Sequence, residues 1–138
     1  MKFESDHRKP DCRLPFMTIL KEQRLDFEGH SNDNDHMIGT DIVYLPRIQN
    51  DSAFSRYVLT EDEQKEYQAR RTEKRKAEYL GGRFAAKEAI FKATQDPDYL
   101  KYSILNDEKG RPYVKDHPEI QISLSHDQDY AVAFAVIV

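Results

Sequence analysis

Three side chains stand where simple packing would not place them. Asp41 interrupts the apolar, β-branched run "IGTDIV" (residues 38–43), and an ionised carboxylate there is costly unless it is paired or bound to a cation. Glu88 lies inside "GGRFAAKEAIFKAT" (81–94), among alanines and with Lys92 one turn on. His126 follows "ISLS" (122–125) and opens the polar stretch "HDQD". Two acids from separate elements can share a hard cation. Magnesium takes one or two protein carboxylates, keeps several waters and completes its shell with phosphate oxygens. With lysine beside them, Asp41 and Glu88 read as a partial site for a diphosphate, and His126 as an imidazole that faces a ligand from a strand end. Each has a plainer reading. Glu88 and Lys92 also form an ordinary i,i+4 pair, worth about 0.2–0.5 kcal/mol. Asp41 could face solvent at a strand end, and His126 could be a turn histidine. The five histidines show no metal-ligand spacing, so zinc is not expected.

The elements that must hold these residues follow from periodicity. "RKAEYLGGRFAAKEAIFKAT" reads as a helix, weakened early by Gly81 and Gly82. At 100° per residue, Leu80, Phe84 and Phe91 form its core stripe. Glu88 and Lys92 border that stripe on a flank lined by Gly81, Ala85 and Ala89, which leaves room for a ligand or another backbone. Arg83 and Lys87 lie on the opposite border. "TEDEQKEYQARR" (60–71) is a second helix, with Thr60 and Glu63 in a capping-box spacing. "YSILND" and "RPYV" flank "EKG", a hairpin turn with Gly110 at the unusual backbone angle. "EIQISLS" alternates as a half-buried strand does, while "YAVAFAVIV" (130–138) is continuously apolar and so buried on both faces or in an interface. The class is α+β, with a C-terminal antiparallel sheet.

Bulk properties narrow the function. A chain of 138 residues favours one domain with a core able to fold unaided. Net charge is −4, which does not favour non-specific nucleic-acid binding. The single cysteine, Cys12, excludes an intrachain disulfide and fits a reducing cytoplasm. No apolar run reaches transmembrane length and no secretion signal is present, so no membrane is expected. Residues 1–36 carry two prolines and end in a polar Ser/Asn/Asp/His run. They read as an N-terminal extension or linker, not necessarily native, with the folded domain at 37–138. A helix around residues 16–27 is the alternative. From Lys65 to Lys92 there are nine bases and four acids, a local excess that would steer an acidic partner or merely solvate a helix face. No aromatic stacking pattern accompanies the bases, which argues against nucleic acid.

Together, "IGTDIV", "LTEDE", "GGRFAAKEAIFKA", the "KGRPYV" turn and "ISLSHDQDYAVAFAV", in this order, resemble the holo-(acyl carrier protein) synthases. These are small bacterial-type 4′-phosphopantetheinyl transferases, and the resemblance spans residues 37–138. It implies a 4′-phosphopantetheinyl transferase-like fold, an antiparallel sheet packed with helices. The activity it implies is magnesium-dependent transfer of 4′-phosphopantetheine from coenzyme A to a serine of apo acyl carrier protein. The second product is adenosine 3′,5′-bisphosphate, and the context is fatty acid biosynthesis. By the same resemblance Asp41 and Glu88 match the magnesium-binding acids, and Lys92 matches the lysine at the coenzyme A diphosphate. Arg83 and His126 match contacts to the nucleotide end, with Ser125 nearby. Arg47 matches a position on an early helix that meets the carrier protein. The family is generally a homotrimer with active sites between subunits, which suits an apolar last strand.

Phosphoryl transfer needs positioning and charge neutralisation more than covalent catalysis, and the residues suit that demand. The serine proton leaves through a general base or a metal-activated water; the sequence leaves both open. Two departures from the family pattern stand out. Relatives commonly carry F-x-x-R before the L-T-x-x-E run, but Tyr57 stands at that arginine's position and Arg56 one place early. The segment after Thr94 is too short for the Gly-rich loop of several relatives. Alternatives to the transferase are a non-catalytic module that presents Arg70 to Lys76 to an acidic protein, and a coenzyme A diphosphate hydrolase using the same acids.

Overall fold

A computed structural model describes residues 37–48 and 52–138. The expected extension at 1–36, and the alternative helix within it, lie outside the described residues. Strand β1 (Ile38–Tyr44) leads into a 3₁₀ turn at Leu45–Arg47. Helices α1 (Ser52–Val58), α2 (Glu61–Gln68) and α3 (Glu73–Thr94) follow, then a second 3₁₀ turn at Tyr99–Lys101. Strands β2 (Ile104–Asn106), β3 (Pro112–Val114), β4 (Ile120–Asp127) and β5 (Tyr130–Ile137) complete the α+β order. β5 lies between β1 and β4 in an antiparallel sheet, and β2 pairs antiparallel with β3 in a separate hairpin. Among the described residues no helix is long and apolar enough to cross a membrane.

Local chemistry sets the element ends. Thr60 and Glu63 form the capping box of α2: the Glu63 side chain accepts from Thr60 N–H at 2.9 Å, and Thr60 Oγ1 from Glu63 N–H. Thr72 caps α3 by accepting from Arg75 N–H, and Gln95 closes it in the left-handed region at φ 62°. The expected hairpin turn is present, with Gly110 at φ 81° and Asp107 Oδ1 accepting from the N–H groups of Lys109 and Arg111.

The long helix lies across the sheet at very short range. A Cβ built on Gly39 would stand 1.9 Å from the carbonyl oxygen of Ala89, so only glycine lets β1 touch the backbone of α3. β5 turns Ala131, Ala133 and Ala135 to the same helix, all three buried. Small residues on both sides make this a backbone-to-backbone seam, as the alanine-rich flank predicts. Gly81 and Gly82 do not break the helix, which runs through both; at Gly81 an added Cβ would meet Leu45 at 2.3 Å.

β5 does not have both faces covered by the described residues. Its burial alternates, and Tyr130, Val132 and Phe134 point outward. They sit opposite Tyr44, Ile42 and Thr40 of β1 in the antiparallel register. Ile38, Ile42, Tyr44, Tyr130, Val132 and Phe134 are all exposed, Ile42 at 62%. Of the two outcomes expected for the apolar run, burial on both faces is not what the described residues show, since the outer face is exposed.

Candidate active site

Strand alternation points Asp41 inward with Gly39 and Val43, towards α3. Lys92, on the facing turn of the helix, donates from Nζ to the carbonyl of Thr40 at 2.8 Å and reaches Asp41 Oδ1 at 3.4 Å. Burial pushes the Asp41 carboxyl up to about 6, because the Lys92 charge and hydrogen bond and the Ile42 N–H offset only part of the lost hydration. Glu88 is fully buried, and the Tyr99 hydroxyl donates to its Oε1. The Tyr99 phenol is pushed upward by burial first, then by the charge and hydrogen bond of Glu88, then by the charge of Asp41. One hydroxyl thus feels both carboxylates, which come from β1 and α3 as the sequence requires. Lys92 is bound to the strand, so it does more than brace its own helix.

The donor set suits magnesium. Asp41 and Glu88, from separate elements, would offer it hard carboxylate oxygens, and among the described residues no cluster of three His, Cys, Asp or Glu forms an all-protein cage. The partial charge compensation of Asp41 is what a divalent cation would complete.

A second region lies one to two turns earlier along α3. Arg70, Arg75, Tyr79, Arg83, Asn106 and His126 help line a cavity of about 380 Å3. Arg83 is buried: Nε donates to the Ile104 carbonyl at 2.8 Å, and Nη2 to Asn106 Oδ1 at 3.1 Å and Glu66 Oε1 at 3.4 Å. The guanidinium carbons of Arg83 and Arg70 lie 4.3 Å and 4.8 Å from the Tyr79 ring centre. His126 Nε2 lies 3.1 Å from the Glu78 carbonyl, an acceptor, so that nitrogen carries the proton. Its ring occupies space that a Cβ on Gly82 would crowd, at 3.1 Å.

Arg83 and His126 therefore meet at one cavity, while Ser125 does not join them. It lies on the outer sheet face, exposed and opposite Val132. Arg47 is on a 3₁₀ turn rather than an α-helix, with its guanidinium 5.8 Å from the Tyr44 ring centre. Arg56 and Tyr57 both line a further cavity of about 290 Å3, whose other wall includes Tyr99. Sequence reasoning did not single out Tyr99, and read Lys87 and Glu63 only by helix position and cap. Lys87 is buried and ion-paired with Glu63, 24 residues away; burial lowers its pKa, and the Glu63 charge opposes that shift.

Residues 37–135 match the family described as the 4′-phosphopantetheinyl transferase superfamily. The chain belongs to that family. A holo-[acyl-carrier-protein] synthase of Acholeplasma laidlawii is 43% identical over 112 residues, covering 74% of this chain and 95% of that one. The enzyme of the same name from Halalkalibacterium halodurans is 39% identical over 110 residues, with 72% and 92% covered. Among solved structures, the Bacillus anthracis holo-(acyl-carrier-protein) synthase in complex with CoA (3′,5′-ADP) superposes with a TM-score of 0.66 at 33% identity. That match covers 74% of this chain and 95% of that chain. The family likeness and the α+β fold expected from the motifs agree with these relatives.

Proposed function

We infer that the protein transfers the 4′-phosphopantetheine arm of coenzyme A to a serine of apo acyl carrier protein, leaving adenosine 3′,5′-bisphosphate. The observation that carries this is the convergence of Asp41, Lys92 and Glu88 where β1 crosses α3. In the reaction the serine oxygen forms a bond to the phosphorus next to pantetheine, and the bridging P–O bond of the diphosphate breaks. The serine proton is released, and the electron pair of the broken bond leaves with the bisphosphate. Asp41 and Glu88 would hold magnesium, which when bound neutralises the diphosphate and makes phosphorus more electrophilic. Lys92 is about a third exposed and anchored through Thr40, so its ammonium can meet the departing charge without losing its place.

The arginine-lined cavity supports a nucleotide end at Arg83 and His126, and extends it to Arg70 and Arg75. Arginine suits phosphate through its planar fork of donors. The exposed apolar face of β1 and β5 supports self-association as a homotrimer, with Ser125 brought into a shared site from its outer face. Residues 37–138 are the catalytic domain in this reading, Arg47 faces the carrier protein, and the reaction takes place in the cytoplasm.

The test is to incubate the protein with coenzyme A, magnesium and apo carrier protein, and to follow the carrier by mass spectrometry. A phosphopantetheine mass gain is expected, absent with chelator and absent in Glu88→Gln, with no coenzyme A cleavage when the carrier is omitted. Unchanged turnover in both Asp41→Asn and Glu88→Gln would overturn the metal assignment.

A further inference from the structure

The turn after α3 contains a tyrosine held at both ends by consecutive residues of that helix. Lys87 Nζ donates to the backbone carbonyl of Tyr99 at 2.9 Å, and the Tyr99 hydroxyl donates to Glu88 Oε1. Lys87 is itself fixed. It is buried, paired with Glu63, and donates to the Val58 carbonyl. Glu63 in turn accepts from the N–H groups of Thr60 and Ile104. The Tyr99 ring is 6% exposed and packs against Phe84, with ring centres 6.2 Å apart. Pro97, Asp98 and Leu100 around it are exposed, so Tyr99 is the point at which this turn is pinned to the helix.

A ring needed only to fill the core would be served by phenylalanine. Here the polar end enters a buried region and meets a carboxylate. A phenol orients a carboxylate without cancelling its charge, as a lysine would, and here it does so by donating a hydrogen bond to Glu88.

We propose that Tyr99 is a positioning residue for Glu88: its hydroxyl binds one carboxylate oxygen and fixes the side-chain rotamer in which Glu88 would meet the cation shared with Asp41. The inference rests on the metal reading given above. Outer hydrogen bonds of this kind orient metal ligands, and their loss typically costs 10–100-fold in metal affinity.

The test compares the unsubstituted full chain with Tyr99→Phe and Asp41→Asn. Mn²⁺ binding is followed by electron paramagnetic resonance in the presence of coenzyme A, with Mg²⁺ as competitor, beside steady-state kinetics against magnesium. Tyr99→Phe keeps the ring, and circular dichroism checks its fold. It should bind the metal about ten-fold or more weakly, while kcat recovers at saturating magnesium. Affinity equal to or tighter than that of the unsubstituted protein would overturn the proposal. So would a loss of kcat with affinity unchanged, since the hydroxyl would then act on substrate. If the unsubstituted protein binds no metal, or Asp41→Asn binds it equally well, the metal reading falls and takes the proposal with it. If only Tyr99→Phe behaves like the unsubstituted protein, the metal reading stands and Tyr99 alone is eliminated.

Discussion

Replacing Asp41 by asparagine should stabilise the metal-free protein while abolishing its activity. The carboxyl rises from 3.8 to about 6 on folding, and each pKa unit is about 1.36 kcal/mol, so charging it in place opposes folding by about 3 kcal/mol. The sign follows from proton binding. Below about pH 4 both states hold the proton and no penalty exists. Between about 4 and 6 the unfolded chain loses the proton first, and stability falls as pH rises. Above 6 the penalty is full and constant. Asparagine removes the charge but keeps the shape, and Lys92 retains its bond to Thr40 and its access to water. Urea unfolding with chelator present should therefore show Asp41→Asn to be more stable by about 2–3 kcal/mol at pH 8. The difference should nearly vanish at pH 3.5. Adding magnesium at pH 8 should stabilise the unsubstituted protein and leave the variant unchanged. A gain independent of pH, or a loss of stability at pH 8, would refute the reasoning.

Glu63→Gln leaves the buried Lys87 ammonium without its counter-charge. It should destabilise by about 3–5 kcal/mol in denaturant unfolding, far more than an exposed ion pair would. Gly82→Ala should fold and push against the His126 ring, 3.1 Å from the new methyl; a raised KM for coenzyme A with a smaller change in kcat is the expected kinetic result. Phe134→Asp introduces charge on the outer sheet face, where Phe134 is 41% exposed. The secondary structure should persist by circular dichroism, and sedimentation should report a smaller assembly.

Much of the scaffold was legible because its signals are local. The Thr60–Glu63 cap is a three-residue motif, and it forms as spaced. Asp41 could be placed as an oddity because charged residues rarely interrupt such a strand, and alternation decides which way it faces. The alanines of α3 announced a close approach, though not what approached; Gly39 and the alanines of β5 supply the answer only once the register is known. Other features depend on contacts between distant segments. Glu63 serves as a cap and as the partner of Lys87, and no spacing reveals the second task. Tyr99 sits in a short aperiodic turn, so nothing in "QDPDYLKYS" marks its hydroxyl as different from that of Tyr102. Ser125 and His126 are adjacent in sequence, which suggested a shared site, yet the period of a strand sends them to opposite faces.

The contact between Gly39 and the Ala89 carbonyl has a further consequence. Because main chain meets main chain there, the spacing between the strand bearing one acid and the helix bearing the other is set by van der Waals contact of backbone atoms rather than by how bulky residues settle. Swapping one aliphatic group for another elsewhere in the interior can loosen the protein without altering that interval. Tolerance to mutation and accuracy of the proposed metal-binding geometry are thus largely uncoupled, and the few positions where they meet are those too small to shrink.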